Sequence, residues 1–305
     1  MDLYVLGAAA PYYFSKCGIS HSSDLTMWQQ DVSPTVPQTH ILSADRSASG
    51  ITVMSTNSGG VITTTDFQSY AAYDMDQKAS QFHKVIWNQG FVAVGFQRNS
   101  LLQEQAYVWR SDTAYDEYSW PASFIIFDAY SALTDVVTTS GSNLIAVGHA
   151  SGLSQSLLVT GSYSGLWDQI DLPTNVQGGL WSVTSNGVRI WIGGRGWVAS
   201  ALLTNLQSWT RTNLETAQTV ASLIHHAGQV YAVAGDHIYA SSNGFDFVSH
   251  QLPGRTLTTA HVHDDQVVVG SHSLLTQSDL FVWDAIQSVW QPRLSQVHGY
   301  AFVSI

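Results

Sequence analysis

Short apolar runs with strand-like alternation recur along the whole chain, separated by small clusters of polar residues and glycine. The stretch 188–213, VRIWIGGRGWVASALLTNLQSWTRTN, carries the pattern most clearly. A β-branched and aromatic run over 188–193 ends in Gly193-Gly194, and 197–203 is a second run. The polar turn Thr204-Asn205-Leu206 leads to a third run centred on Trp209. With 180–184 ahead of it, closed by Asn186-Gly187, the stretch predicts a four-stranded antiparallel meander.

The unit repeats. An aromatic residue follows the third turn of each copy, at Trp28, Tyr70, Trp120, Trp167, Trp209, Phe247 and Trp283, every 36–50 residues. Runs of the form V-x-V-G end at Gly7, Gly95, Gly148, Gly193 and Gly270, with related copies at Ser55 and Ala234. This period is that of propeller blades. The two columns predict an all-β fold, a seven-bladed β-propeller of four-stranded antiparallel blades in one domain over 1–305. The expected blades are 33–76, 77–126, 127–173, 174–214, 215–252 and 253–295, with a seventh shared between the ends. In that last blade 1–32 supplies three strands and 298–305 the innermost one, which closes the ring and removes open sheet edges. The connection 124–133 is long and apolar enough to hold a helical turn.

Composition narrows the function. Of 305 residues, 11 are Lys or Arg and 22 are Asp or Glu, giving a formal net charge of −11, and only 11% are charged. The lysines are Lys16, Lys78 and Lys84, and no basic cluster exists, which argues against nucleic acid as a partner. Cys17 is the single cysteine, so no internal disulfide and no cysteine zinc site is expected. The first residues lack the basic and apolar segments of a signal peptide, and no apolar run reaches membrane-spanning length. No signal peptide and no membrane insertion are expected, and the localisation stays open, a virion among the possibilities.

The turns between third and fourth strands share a signature. They read Ser22-Ser23-Asp24, Thr65-Asp66, Asp116, Thr204-Asn205, Ser241-Ser242-Asn243-Gly244 and Ser278-Asp279, each with an aromatic four residues after the Asp or Asn. An Asx side chain accepts from backbone N–H groups just downstream and tolerates left-handed backbone, so a structural role is expected for all six. These turns resemble degenerate Asp-boxes, the BNR repeats of the sialidase superfamily and of photosystem II assembly factor-like propellers. The resemblance implies that they lie away from any active face.

A sialidase-type hydrolase would need a cluster of arginines, a tyrosine nucleophile and paired carboxylates. The glutamates are Glu104, Glu117 and Glu215, and no such constellation assembles, so an enzyme is not expected. Histidines offer a second chemistry. His225, His261 and His263 fall on innermost strands of neighbouring blades and His298 begins the closing one, so they line a central channel where a metal is conceivable. Hydrated imidazoles are the simpler reading, and no metal or other cofactor is expected.

Loops between second and third strands share one face with the blade connections. Tyr12, Tyr13, Arg98, Arg195, Trp197 and His237 are the ligand-binding candidates there. Arg195 within Gly193-Gly194-Arg195-Gly196-Trp197 combines a planar donor fork, an aromatic face and glycines that let a ligand approach. The alternative is a glycine hairpin whose Trp packs against a neighbouring blade. Low charge with abundant Ser, Thr, Gln and Asn is similar to virion components of tailed bacteriophages. The expected function is non-enzymatic binding or assembly, through contacts to other virion or assembly proteins or to a host-surface glycan. A free lectin or an intracellular assembly scaffold is the alternative.

Overall fold

The alternating runs form strands throughout the computed structural model, which describes residues 2–9, 17–25, 27, 29–30, 41–57, 59–74, 80–114, 120–126, 130–272, 279–284, 289–294 and 297–304. These strands build the four-stranded antiparallel sheets of a β-propeller, and seven such sheets are formed among the described residues. They span 41–74, 80–126, 132–169, 182–213, 220–251 and 256–294, and in the last Val297–Ser304 is edge to Leu3–Ala9, Cys17–Ser22 and Gln29–Gln30. The meander expected around Trp209 is the 182–213 sheet, with strands Ser182–Ser185, Arg189–Gly193, Trp197–Leu202 and Asn205–Asn213. Val297–Ser304 pairs antiparallel with Leu3–Ala9, from Leu3 opposite Ser304 to Ala9 opposite Val297.

The first strand of each sheet contacts the first strand of the next. Contacts run from Ile41–Arg46 to Ser80–Trp87, Ala132–Thr138, Ser182–Ser185, Val220–His226, Thr256–His263 and Val297–Ser304, and from there to Ile41–Arg46 again. Apolar clusters fill the spaces between neighbouring sheets. One joins Val92, Val94 and Val108 to Leu133, Leu144 and Trp167, and another joins Ile145 and Val147 to Ile190, Ile192 and Trp209.

The small-residue column has a physical cause. A bulge falls between Ile41 and Ser43, Phe82 and Lys84, Leu133 and Asp135, Val220 and Ser222, and Leu257 and Thr259 in the first strands. The bulge pushes the first strand onto the second. A Cβ on Gly148 would lie 2.0 Å from the Ala132 carbonyl oxygen, so no side chain fits there. The residues opposite the bulge entrance include Thr56 and Ser271, one position after the expected Ser55 and Gly270.

The third turns follow one design. Ser22, Thr64, Ser111 and Ser241 end third strands, and Leu25, Phe67, Ala114 and Gly244, three residues on, take φ of 61°, 57°, 55° and 77°. The Phe67, Ala114 and Gly244 amides donate to the hydroxyls of Thr64, Ser111 and Ser241 at 2.9, 2.7 and 2.8 Å. Asp24 accepts from Met27 N, Asp66 from Gln68 N and Ser69 N, and Asn243 from Phe245 N and Asp246 N. Tyr70 and Trp209 each close the turn by donating to the carbonyl three residues back, at 2.8 and 2.7 Å.

Three expectations need correction. Asp279 is not a turn residue but opens the third strand, Asp279–Asp284. The apolar alternation continues through Phe281 and Val282, and Trp283 sits on that third strand opposite Trp290. Asn205 begins the fourth strand of its sheet opposite Leu202, after a tighter turn than expected, although its Oδ1 still accepts from Gln207 N at 3.3 Å. Among the described residues a 3-10 turn lies at Thr174–Val176, after Pro173; of the 124–133 connection, Phe124 and Leu133 lie on strands and residues 127–129 lie outside the described residues. Tyr12, Tyr13, Trp28 and Asp116 lie outside the described residues.

Candidate functional site

At the centre, first strands are clasped by side chains that sequence reasoning missed. One polar residue follows each bulge: Ser43, Lys84, Asp135, Ser222 and Thr259, with Ser182 opposite Gly193 in the corresponding place. Val85 N donates to Ser43 Oγ at 3.1 Å, Val183 N to Asp135 Oδ2 at 2.9 Å and Ala260 N to Ser222 Oγ at 3.1 Å, each across a sheet boundary. Ser182 Oγ donates to Val220 O at 2.8 Å. A lysine cannot accept, and at the junction after Lys84 the corresponding amide, Val136 N, donates instead to Asp135 Oδ1 at 3.0 Å. Lys84 Nζ lies 3.9 Å from the same carboxylate. The signal was available in the sequence as a polar residue recurring every 37–51 positions within the first runs.

Ser43, Asp45, Lys84 and His261 line a narrow cavity of about 200 Å³ between these strands. Burial pushes the Asp45 and Asp135 carboxyls up, against the backbone donors that hold them and the nearby Lys84 charge. Burial, then Lys84 and His263, press His261 down to about 4. His225 is also lowered, by burial and then by His226, and its ring stacks on Trp191 at 5.7 Å. Buried His263 has Nε2 3.5 Å from Asp264. His298 lies on the closing strand. Among the described residues, no group of three or more His, Cys, Asp or Glu is placed to hold a metal ion.

The loop-face candidates do not converge. Arg195 is exposed and its Nε donates to Ala217 O at 2.9 Å. Its loop is stitched to the next sheet by Gly196 N to Gln218 O at 2.8 Å and Val220 N to Gly194 O at 3.0 Å. Gly196 takes φ of 74°, and a Cβ there would meet the Thr216 carbonyl at 2.7 Å. Trp197 is 3% exposed and packs in the core with Arg211 over its ring at 4.8 Å, so it offers no free stacking face. Arg98 is two sheets away, paired with Glu104 at 3.2 Å. His237 Nδ1 lies 2.7 Å from Asp236 Oδ1 and its ring stacks on Tyr239. Asp236 is held below the usual carboxylate range, first by the Gln251 amide.

Open space occurs instead on the opposite face, beside the first and third turns. A groove of about 670 Å³ between the 132–169 and 182–213 sheets is lined by Thr139, Asn143, Thr160 and Thr204 together with Leu166 and Val188. Leu166 and Val188 are 88% and 66% exposed. A second groove of about 700 Å³ involves the 220–251, 256–294 and 3–30 sheets. Asp24, Asp264, Asp265 and Asp284 line it with Trp283 and Tyr231.

No protein-family model matches the chain, and a comparison with curated proteins gives no match. Among solved structures the chain is similar to a prolyl endopeptidase, with a TM-score of 0.63 at 10% identity over 96% of this chain. It spans 50% of that endopeptidase. It is also similar to Saccharomyces cerevisiae Sqt1, with a TM-score of 0.61 at 10% identity, covering 94% of this chain and 81% of that one. Both similarities establish the propeller fold.

Proposed function

We propose that the chain is a non-enzymatic binding and assembly module built as one closed seven-bladed ring, with other proteins as its partners. The observation that carries this reading is the pair of open grooves on one face, each between neighbouring sheets. The side chains with catalytic or metal-binding potential are instead engaged in the fold: Trp197 is core, His261 is half-buried between first strands, and Arg195 anchors its own loop. Propellers commonly present ligands to rigid, groove-lined faces between blades. A glycan is the second ligand class, favoured by the hydroxyl and amide lining of the Thr139–Thr204 groove. Low charge and abundant Ser, Thr, Gln and Asn support a virion as the assembly.

Immobilised wild type is compared with Leu166→Glu and Val188→Glu on polysaccharide panels and isolated cell-envelope proteins, with fluorogenic peptide and glycoside substrates run alongside. Saturable binding weakened by the groove variants, without turnover, is the expected result. Turnover, or no binding to either panel, contradicts the proposal. Arg195→Ala in the same series tests the loop face, because weakened binding there would move the site.

A further inference from the structure

We propose that the chain pairs with a second copy of itself through an apolar patch on the loop face. Of the exposed large apolar side chains among the described residues, Leu101, Leu102, Tyr130 and Leu153 are the ones on this face, and they lie on or between two neighbouring sheets. Their exposures run from 46% to 77%. Leu101 and Leu102 tip the hairpin between Phe91–Arg98 and Glu104–Ser111, and Leu153 sits in the hairpin between Asn143–Ala150 and Gln155–Ser162. Tyr130 stands between the two hairpins. Ser131 N donates to Glu104 O at 3.1 Å on one side, and Ala132 pairs with His149 on the other. Monomeric proteins seldom leave so many large apolar side chains together in water.

Backbone geometry sets the patch apart. Leu102, Tyr130 and Leu153 take φ of 60°, 59° and 78°, a left-handed backbone that is unfavourable for large side chains. Leu25 and Phe67 do the same in third turns, but there the side chains are buried in the core. On the loop face the side chains stand out in solvent, so burial against a partner is what would offset the strain. The 99–103 loop is ordered to hold them there. Asn99 Oδ1 accepts from Leu101 N at 2.9 Å and Gln103 N at 3.0 Å, and Leu102 N donates to Asn99 O at 2.9 Å. A loop already ordered loses little freedom on association.

Charge selects the partner. The chain carries a net charge of −11, so two copies repel unless they meet on neutral ground. Arg98 and Glu104 are the only Lys, Arg, Asp or Glu within 97–105, 130–131 and 149–156, which leaves the patch neutral. They stand 3.2 Å apart, with Arg98 also held over the Phe96 ring at 5.6 Å. Opposite charges side by side on an apolar patch are self-complementary. A two-fold axis sets Arg98 of one copy against Glu104 of the other, twice. The grooved faces then point away from the joint, and the pair presents its grooves in duplicate.

The test is sedimentation velocity from about 1 to 200 µM, the range in which an interface at the small end of the specific class self-associates. Wild type is expected to pass from monomer to dimer. Leu101→Asp/Leu102→Asp is expected to weaken association by about a hundredfold or more. Leu102→Asn, which suits left-handed backbone, is expected to weaken it by about tenfold or more, with the melting temperature of dilute protein not lowered. Arg98→Glu and Glu104→Arg are each expected to lose the dimer, and mixing the two variants to restore it. A wild-type chain that stays monomeric at about 200 µM leaves the patch to another kind of partner and overturns the pairing. So does a dimer indifferent to the leucine variants, or a mixture of the charge variants that stays monomeric. A lowered melting temperature for Leu102→Asn would mean that the leucine packs within its own copy, and also overturns it.

Discussion

Replacing Asp135 tests the clasps between first strands. Its two carboxylate oxygens accept from Val136 N at 3.0 Å and Val183 N at 2.9 Å, and Lys84 Nζ stands 3.9 Å away. Asp135→Ala leaves both amides orphaned and Lys84 without its counter-charge. A buried donor without a partner costs about 1–3 kcal/mol, so the variant should lose about 3–5 kcal/mol. Asp135→Asn keeps a carbonyl for Val183 but turns an amide toward Val136 N, while relieving the desolvation that raises the carboxyl's pKa. Its loss should be smaller, about 1–3 kcal/mol. For a chain of this length 1 kcal/mol corresponds to roughly 1.5 °C in Tm. Differential scanning calorimetry at neutral pH should therefore show Asp135→Ala lowered by about 5–8 °C, with Asp135→Asn between it and wild type. An alanine variant that melts with wild type, or an asparagine variant as damaged as the alanine one, would refute the clasp.

Three further outcomes follow from the same geometry. His261 is depressed to about 4 in the fold, so its contribution is whole above its unfolded value of about 6.5 and is lost as pH falls through about 4. His83 and His149 are lowered in the same sense, whereas raised Asp45 and Asp135 act oppositely. His261→Gln isolates the histidine part: urea unfolding of wild type at pH 7 and pH 5 should differ by about 2 kcal/mol more than that of the variant, and identical slopes would contradict the assignment. Ser241→Ala removes the hydroxyl that accepts from Gly244 N at 2.8 Å and should cost about 1–2 kcal/mol in the same assay, with no cost counting against the turn design. Gly148→Ala places a methyl 2.0 Å from the Ala132 carbonyl oxygen and should cost about 3 kcal/mol, and a neutral result would contradict the close approach at the bulge.

The repeat was legible because each sheet carries the same local devices. Third turns need a hydroxyl or Asx acceptor, and second strands need a small residue where the bulge presses. Those constraints act within a few residues, so they leave columns such as Thr64-Thr65-Asp66 and Val147-Gly148 in the sequence. The third turn of the last full sheet was misplaced because Trp283 imitates the fourth-strand aromatic while lying on the third strand opposite Trp290. The clasps escaped for a different reason. Ser43 reaches Val85 and Asp135 reaches Val183 across 42 and 48 positions, and no local pattern states which neighbour a polar side chain will meet. Arg195 and Trp197 stood out by residue type, but a glycine loop stitched to residues 214–220 uses the arginine as an anchor and buries the ring. The groove around Tyr231 combines residues from three sheets, so only the assembled fold brings Asp24 near Asp264 and Asp284.

The ring itself is tested most directly by a circular permutant. Leu3 pairs with Ser304, so a short Gly-Ser linker joining Ile305 to Met1 would complete a hairpin in the sheet the two ends share. New ends opened at the exposed Gly187-Val188 turn disturb no packed side chain, and such turns tolerate cutting. Calorimetry of this permutant should give one cooperative transition near that of the wild-type chain. A permutant that fails to fold, or that melts in separate early and late steps, would contradict a ring closed by Val297–Ser304 on Leu3–Ala9.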